Sequence, residues 1–359
     1  MDELASLKRA SAYTVAANFA FDSRRLHRHN RRSVPLKLAQ PLCGASILFA
    51  CLSAASVNAV QDDIRPVADH HQHLYSPVIA PAAKIPPITA RDLIALLDAA
   101  GIRRAAVLSQ AYSFGNPNRT PPVQNERARV IEENDWTSRE VAQFPDRLVG
   151  FCGVNPLRDY ALDEITRCAR DPHLRTGLKL HFANSDVDVE NPQHVERLRA
   201  VFRAANEHRM AIVVHIRSTV SRQRPYGAAQ ARAFLDNVLP FAPDVVVQIA
   251  HLTGAGGYDD PKVDEALGVF VDAIAAGDPR MARVYFDVSG VAGVGEWRGK
   301  ADRIATRIRQ LGIARILYGS DGAVGPGRKP AEAWASFREL PLSREEFRAI
   351  AANVAPYLQ

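Results

Sequence analysis

Short apolar runs alternate with longer amphipathic segments along the chain from residue 65 onward. Each run is long enough for one buried strand, and the segments between the runs carry apolar residues at helical spacing. Thr89 stands three positions before Asp92, the spacing of a helix capping box, and Gly101 and Gly312 follow amphipathic segments where helices would end. The pattern predicts eight strands, at residues 66–71, 103–110, 147–156, 176–182, 211–216, 244–252, 283–290 and 314–322.

Eight strand-then-helix units in a body of about 300 residues predict an α/β protein with a (β/α)8 TIM barrel. The segment "SREEFRAIAANVAPYL", residues 343–358, supplies the last helix. A doubly wound open sheet is the alternative fold, but no G-x-G-x-x-G segment follows the first strand. No linker or repeat divides the body, so we predict a single catalytic domain over residues 60–359.

The placement of charge excludes some functions. With 47% hydrophobic residues, the 359-residue chain can bury a large core. The formal net charge is +6, but residues 1–59 carry eight Lys/Arg against three Asp/Glu, whereas the rest of the chain carries 37 against 36. The nearly neutral body gives no electrostatic argument for binding nucleic acid or anionic lipid.

Residues 1–59 have the pattern of a leader. The segment "RRSVPLKLAQPLCGASILFACLSAASVNAV" combines a basic start, a short apolar stretch and small residues, which indicates an export signal peptide. Arg31 and Arg32 resemble a twin-arginine signal, although Pro35 replaces an expected apolar residue. The apolar stretch is too short for a stable membrane span in the mature protein. We therefore predict a periplasmic or secreted protein, and a cytoplasmic one if the leader is not real.

The leader contains Cys43 and Cys51, which leaves Cys152 and Cys168 in the body. Two cysteines do not form a disulfide framework, and their spacing is not that of a thiolate metal site. Cys152 lies in a predicted strand and Cys168 in a predicted helix. We therefore expect two buried free thiols.

Polar residues of the body concentrate where predicted strands end. In a (β/α)8 barrel all C-terminal strand ends open onto one face, where catalytic groups gather. In "VADHHQHLYSP", residues 67–77, His71 and His73 project to one face of the strand. Such an H-x-H pair can coordinate a transition metal through both imidazoles. Each of these residues has a structural explanation when taken singly, but their joint placement indicates a metal-dependent site. The strand-end residues are Asp69, His71 and His73 on the first strand, Lys179 and His181 on the fourth, His215 on the fifth, His251 on the sixth and Asp321 on the eighth.

Other polar residues are expected around this site or away from it. Arg217 follows His215 by two positions and is a candidate clamp for a substrate carboxylate. Tyr112 follows the second strand and is a candidate hydrogen-bonding group for substrate. The remaining histidines of the body are expected in solvated or supporting roles; they are His70, His173, His194 and His208.

The set and order of the strand-end residues resemble the amidohydrolase superfamily. The segments "NDWTSREVAQFPDRLVGFCGVNP", "IAHLTGAGG" and "YGSDG" are similar to the amidohydrolase-related family. That family includes metal-dependent hydrolases, lactonases and non-oxidative decarboxylases such as aminocarboxymuconate-semialdehyde decarboxylase. The resemblance implies one divalent metal ion, with zinc as the expected ion and manganese or another divalent metal as the alternative, and with His251 and Asp321 as catalytic acid/base groups. The metal ligands it implies are His71, His73, His215 and Asp321.

Lys179 bears on the number of metal ions. Some members of the superfamily use a carboxylated lysine on the fourth strand to bridge two metal ions, with histidines from the fifth and sixth strands. His181 lies two positions further along, on the same face and nearer the strand end. We expect one ion, with Lys179 and His181 binding substrate, and a second ion with carboxylated Lys179 is the alternative.

The predicted function is hydrolysis of an amide, lactone or ester of a small, carboxylated molecule by metal-activated water. The alternative is a metal-dependent, non-oxidative decarboxylase of an aromatic or enoic acid, because the family contains both reactions. A ligand-binding barrel without catalysis is the third hypothesis, and it is disfavoured because no expected ligand is missing. The expected partner is a small-molecule substrate, and the sequence leaves a homo-oligomer open.

Overall fold

The eight predicted strands are all present, and each pairs in parallel with the next in chain order. Two backbone hydrogen bonds close the seam between the last strand and the first: His70 N–H donates to Tyr318 O at 2.9 Å, and Asp321 N–H donates to His71 O at 2.8 Å. The (β/α)8 barrel is therefore confirmed. The strands are β1 (Ala68–Gln72), β2 (Arg104–Leu108), β3 (Leu148–Gly153), β4 (Gly177–His181), β5 (Ala211–His215), β6 (Val247–Ile249), β7 (Val284–Asp287) and β8 (Ile316–Leu317).

This computed structural model describes residues 64–218, 224–258, 261–295, 297–322 and 329–359. The predicted leader, residues 1–59, lies outside the described residues. None of the helices in the described ranges is long and apolar enough to cross a membrane.

Helices follow the strands, and their ends match the boundary signals in the sequence. Thr89 and Asp92 form the predicted capping box, and Gly101 ends the same helix with φ of 71°, a left-handed conformation that glycine adopts readily. The helices are α1 (Ala80–Ala83), α2 (Ala90–Ala100), α3 (Glu126–Val141), α4 (Ala161–Arg170), α5 (Phe182–Ser185), α6 (Pro192–Glu207), α7 (Ala228–Asn237), α8 (Pro261–Ala275), α9 (Ala301–Leu311), α10 (Pro330–Phe337) and α11 (Arg344–Ala352). The chain also forms short 3₁₀ turns, including Ala111–Gly115, Ala250–Thr253 and Pro356–Leu358.

All eight strands are shorter than the predicted apolar runs, and the difference is largest at β6 and β8. β6 covers three residues of the predicted 244–252, and β8 covers two of the predicted 314–322. In both cases the chain turns sharply after the strand, with positive φ at His251 and Asp321. These two residues therefore lie in the loops that follow the strands, not on the strands themselves.

Alternating strand residues face the inside of the barrel and the surrounding helices. Ala106 and Leu108 on β2 pack in an interior cluster with Phe151, whereas Ala105 and Val107 pack in the larger cluster against the helices. The inward side of the barrel becomes polar towards the C-terminal ends of the strands. The buried polar residues there include His71, Lys179, His215, Gln248 and Asp287.

The expectation of two free thiols is wrong. Cys152 on β3 and Cys168 on α4 form a disulfide, with their Cα atoms 6.1 Å apart. Cys152 lies on the helix-facing side of β3, and Cys168 lies on the buried side of the helix that follows. Packing of this one strand–helix unit brings the two sulfur atoms together, which their spacing in the sequence does not reveal.

Candidate functional site

The site lies at the C-terminal ends of the barrel strands, where β1 supplies two histidines. The register between β1 and β2 shifts between Asp69 and Gln72, and His73 follows directly after the strand. The His71 and His73 ring centroids lie 5.2 Å apart. Their Nε2 atoms lie 3.3 Å and 3.7 Å, respectively, from Asp321 Oδ1. The structure thus brings together three of the predicted metal ligands.

Asp321 and His251 occupy left-handed backbone conformations that non-glycine residues rarely adopt. The angle φ is 64° at Asp321 and 56° at His251, and the two residues after His251 also have positive φ. Each such residue costs on the order of 1–3 kcal/mol and persists only where its surroundings hold it. The N–H of His251 donates to Asp287 Oδ1 at 3.1 Å, and the N–H of Asp321 is bound across the barrel seam. The barrel therefore holds both residues in strained positions at the same face.

Hydrogen bonds assign the ring protons of three histidines. His71 Nδ1 lies 3.0 Å from Asp287 Oδ2, and His73 Nδ1 lies 2.7 Å from the carbonyl oxygen of the last residue of β2. His251 Nδ1 lies 2.8 Å from the carbonyl oxygen of Ser289. Because each of these oxygens can only accept, each Nδ1 carries the proton and each Nε2 keeps its lone pair. Three imidazoles are therefore held in the tautomer whose Nε2 lone pair is free to bind a metal ion or a proton.

The donor atoms of His71, His251 and Asp321 lie within 4.8 Å of one another. Two imidazole nitrogens and a carboxylate oxygen suit zinc, manganese or iron. The Asp321 side chain is 14% exposed, whereas His71 is 1% exposed, so the carboxylate forms the open side of the cluster. These residues fit a divalent metal ion. His251 was expected as the acid/base group rather than as a ligand, and its role stays a prediction.

His215 lies beside this cluster with a different hydrogen-bond arrangement. Its ring centroid is 5.3 Å from that of His251, and its Nδ1 lies 2.8 Å from His181 Nε2. Burial lowers the pKa of both His215 and His181 well below the usual range, so both are neutral. His181 Nδ1 accepts a hydrogen bond from Asn184 N–H at 3.2 Å, so His181 donates from Nε2 to His215 Nδ1. The buried Nε2 of His215 then carries its own proton and has no hydrogen-bond partner among the described residues. Metal ligation by His215 stays a prediction, and it requires this pair to change tautomer.

Lys179 is buried directly beneath the histidines. Its Nζ lies 3.2 Å from His71 Nε2, and the residue is 1% exposed. Burial lowers the pKa of Lys179 to about 8, against the opposing influence of Asp321 and Asp287. A lowered pKa increases the fraction of neutral amine, the form that can be carboxylated. Substrate binding and carboxylation of Lys179 both stay predictions.

The two other predicted substrate-binding residues are also largely buried. The Tyr112 ring centroid lies 5.2 Å from that of His181, which puts Tyr112 at the edge of the histidine cluster. The Arg217 guanidinium lies 5.5 Å from the ring centroid of Tyr226, a cation–π distance. Tyr112 and Arg217 are each 6% exposed. Their contact with substrate stays a prediction.

Asp287, a buried carboxylate at the end of β7, is not among the residues predicted from the sequence. Burial alone would raise the pKa of Asp287, but the neighbouring His71 and His251 hold it below its usual range. Ser289 Oγ donates to Asp287 Oδ1 at 2.5 Å. The signal was present: Asp287 and Ser289 end the seventh apolar run as His215 ends the fifth. The rule used for the other strands would have found them.

Asp69 supports β1 from below the histidines. Its carboxylate accepts hydrogen bonds from His71 N–H at 3.1 Å, Gln72 Nε2 at 2.7 Å and Ser320 Oγ at 2.7 Å. Burial raises the pKa of Asp69 to about 6 despite these hydrogen bonds. Asp69 thus links β1 to the loop that carries Asp321.

His70 faces away from the metal cluster but is fully buried. Its Nδ1 donates to Tyr318 O at 2.9 Å, and its Nε2 accepts from Ala355 N–H at 3.1 Å. Burial lowers the pKa of His70 to about 4, so it is neutral at pH 7. His70 therefore supports the seam of the barrel. His173, His194 and His208 lie on helices or loops away from the strand ends, and each is at least partly exposed, as expected.

Comparison with known proteins gives a family and a set of similar folds. The family model described as amidohydrolase matches residues 68–355. No curated protein matches the chain. The match runs from the first residue of β1 to a point just beyond the end of α11.

Solved structures with the same fold carry out different reactions. A 2,6-dihydroxybenzoate decarboxylase complexed with 2,6-dihydroxybenzoate has a TM-score of 0.55 at 16% identity, over 80% of this chain and 97% of its own. The 5-carboxyvanillate decarboxylase of Novosphingobium aromaticivorans, complexed with manganese and 4-hydroxy-3-methoxy-5-nitrobenzoic acid, has a TM-score of 0.53 at 14% identity, over 81% and 95%. A probable 2-pyrone-4,6-dicarboxylic acid hydrolase from Acinetobacter baumannii has a TM-score of 0.50 at 16% identity, over 79% and 95%. At these identities the likeness shows the fold alone.

Proposed function

The chain belongs to the amidohydrolase family, whose members are metal-dependent, and we propose on that basis that it hydrolyses an amide, lactone or ester bond. The substrate is a small, carboxylated molecule. The observation that carries the proposal is the cluster of His71, His251 and Asp321 at the C-terminal face of the barrel, with ligand atoms within 4.8 Å of one another. In this fold that face is where catalytic groups act.

His71, His73, His215 and Asp321 are the predicted ligands that would hold a divalent ion, and His251 of the cluster would lie beside it as the acid/base group. When bound, such an ion supplies a Lewis acid that acidifies water and polarises a carbonyl oxygen. Zinc is the proposed ion, and manganese is the alternative because a structure of similar fold holds it.

The protein's own groups then move protons and orient the substrate. Asp321 is the carboxylate on the open side of the cluster and accepts the proton of the attacking water. His251 is neutral because burial lowers its pKa, so its unprotonated Nε2 takes over the proton of the attacking water from Asp321 and passes it to the leaving group. Lys179 and Arg217 supply the positive charge that orients a carboxylated substrate.

Decarboxylation is the competing reaction, because the structures of similar fold include decarboxylases of hydroxylated aromatic acids. The two reactions differ in what happens to water. Hydrolysis places a water oxygen in the product carboxylate, whereas non-oxidative decarboxylation releases carbon dioxide and leaves a proton on carbon.

The test is turnover of the zinc- or manganese-loaded protein in ¹⁸O-labelled water. The panel contains lactones, esters, N-acyl compounds and aromatic acids, with mass spectrometry of the products. Hydrolysis predicts ¹⁸O in the carboxylate and a loss of about 10²–10⁴-fold in kcat for Asp321→Asn, the usual range for a lost general base. The matched control is Asp163→Asn, because Asp163 is an exposed carboxylate. Carbon dioxide release with no ¹⁸O in the organic product would assign decarboxylation instead. No turnover across the panel would contradict both reactions.

We also propose that the protein functions in the periplasm or outside the cell. The Cys152–Cys168 disulfide supports this location, because disulfides persist in oxidising compartments and are rare in the cytosol. Cell fractionation with mass spectrometry of the mature N-terminus tests it. An intact leader on a cytoplasmic protein would contradict it.

A further inference from the structure

We propose that Tyr357, Gln248 and Asp287 form a buried hydrogen-bonded chain that positions His71 and His251 from the floor of the barrel. The inference rests on the metal site of the proposed function. Asp287 touches two histidines of that site, whereas Gln248 and Tyr357 act through Asp287. They are positioning residues, not catalytic ones.

Asp287 is the upper end of the chain, and both of its oxygens are fully used. Oδ2 lies 3.0 Å from His71 Nδ1 and accepts from Gln248 Nε2 at 2.7 Å. Oδ1 accepts from the backbone N–H of His251 and of Ser289, both at 3.1 Å. One carboxylate therefore fixes the ring of His71, a predicted ligand, and the strained backbone of His251, the predicted acid/base group. This is the arrangement in which a carboxylate behind a histidine sets its tautomer and orientation towards a metal.

Gln248 is the middle of the chain, on β6, and it is fully buried. Its Nε2 donates to Asp287 Oδ2 and to His70 O, the latter at 3.2 Å. Its Oε1 accepts from the hydroxyl of Tyr357. Two acceptors on the nitrogen side and one donor on the oxygen side leave the amide a single orientation. Gln248 therefore presents a fixed donor to Asp287.

Tyr357 is the lower end of the chain. It lies in the 3₁₀ turn Pro356–Leu358, beside a cavity lined by Thr176, Ala211 and Val246, which mark the N-terminal ends of the strands. Its ring packs edge-on against Phe151, with centroids 5.1 Å apart. The hydroxyl thus enters the barrel from the floor, while the metal cluster lies at the opposite, C-terminal ends of the strands.

Two variants and one control test the chain. Gln248→Met keeps the length of the side chain but removes the donor to Asp287. Tyr357→Phe removes only the hydroxyl at the floor. Tyr285→Phe is the matched control, because Tyr285 packs against the same interior cluster as Tyr357 and has no hydrogen bond from its hydroxyl within the described part of the chain.

The measurement is Co²⁺ affinity of the full chain by visible absorption, with thermal unfolding of the metal-free protein in parallel. Gln248→Met is expected to weaken Co²⁺ binding by about 10–100-fold, the usual effect of losing a supporting group behind a metal-binding histidine, and to alter the Co²⁺ spectrum. Tyr357→Phe is expected to weaken Co²⁺ binding by a smaller factor and to alter the spectrum less. Tyr285→Phe is expected to leave the affinity and the spectrum unchanged.

Unchanged Co²⁺ affinity and spectrum in both variants, with only a lower unfolding temperature, would mean that the chain has a purely structural role and would overturn the inference. If Gln248→Met does not fold, Tyr357→Phe decides alone. Failure of the wild-type protein to bind Co²⁺, Zn²⁺ or Mn²⁺ would instead overturn the metal site, and with it the proposed function.

Discussion

Burial of Lys179 leads to a prediction about stability. The pKa of Lys179 falls from 10.5 to about 8 because the ammonium loses hydration in the barrel, where the residue is 1% exposed. One pKa unit corresponds to 1.36 kcal/mol, so holding the charged form in the folded protein costs about 3 kcal/mol. Lys179→Met removes this charge with little change in volume. We expect the metal-free variant to be more stable than the wild-type protein at pH 7, by up to about 3 kcal/mol.

The sign of the pH dependence follows from the direction of the shift. Between pH 8 and 10.5 the unfolded chain keeps the Lys179 proton while the folded protein loses it. The stability of the wild-type protein therefore rises with pH across this window relative to the variant. The advantage of Lys179→Met should be complete below pH 8 and disappear near pH 10.5.

The assay is urea unfolding followed by circular dichroism at pH 7, 9 and 10.5, with chelator present and carbon dioxide removed. Lys84→Met is the control, because Lys84 is exposed and its replacement should change stability little at any of these pH values. A Lys179→Met variant that is less stable than the wild-type protein at pH 7, or a difference that does not vary with pH, would refute the reasoning.

Two further predictions concern buried groups outside the metal cluster. Replacing both Cys152 and Cys168 by alanine opens a loop of about 16 residues and should lower the free energy of unfolding by about 3 kcal/mol. In the wild-type protein, alkylation of either cysteine after denaturation without a reductant would contradict the disulfide. Glu133 is hydrogen-bonded to Ser76 at 2.6 Å, and burial raises its pKa from 4.5 to about 7. The protonated side chain therefore adds to the free energy of unfolding below pH 4.5, and this contribution is lost as the pH rises through 7. Glu133→Gln should therefore be more stable than the wild-type protein at pH 8 by about 3 kcal/mol, with the difference vanishing near pH 4.5 in chemical denaturation, and a constant difference would contradict it.

The fold could be predicted because each strand of a barrel leaves an apolar run of its own. The positions of His71, His73 and Asp321 could be predicted because all C-terminal ends of parallel strands in a barrel meet at one face. The same rule applied to the seventh strand would have identified Asp287.

Other features depend on tertiary contacts that no local pattern encodes. The left-handed conformation of His251 is held by the carboxylate of Asp287, a residue 36 positions away. The pairing of Cys152 with Cys168 depends on how one helix packs over one strand. The direction of the hydrogen bond from His181 to His215 depends on the backbone turn that places Asn184 N–H against the His181 ring. The sequence predicts which residues belong to such a cluster more readily than it predicts which of them donate and which accept hydrogen bonds.

The seam between β8 and β1 determines when the site can exist. The contact between His70 and Tyr318 across the seam joins residues 248 positions apart. Contacts of such separation carry a large loop-closure entropy and form slowly. The hydrogen bond that holds Asp321 in its left-handed turn crosses the same seam. A partly folded barrel therefore presents His71 and His73 but not the carboxylate opposite them, and tight metal loading has to follow closure of the barrel rather than guide it.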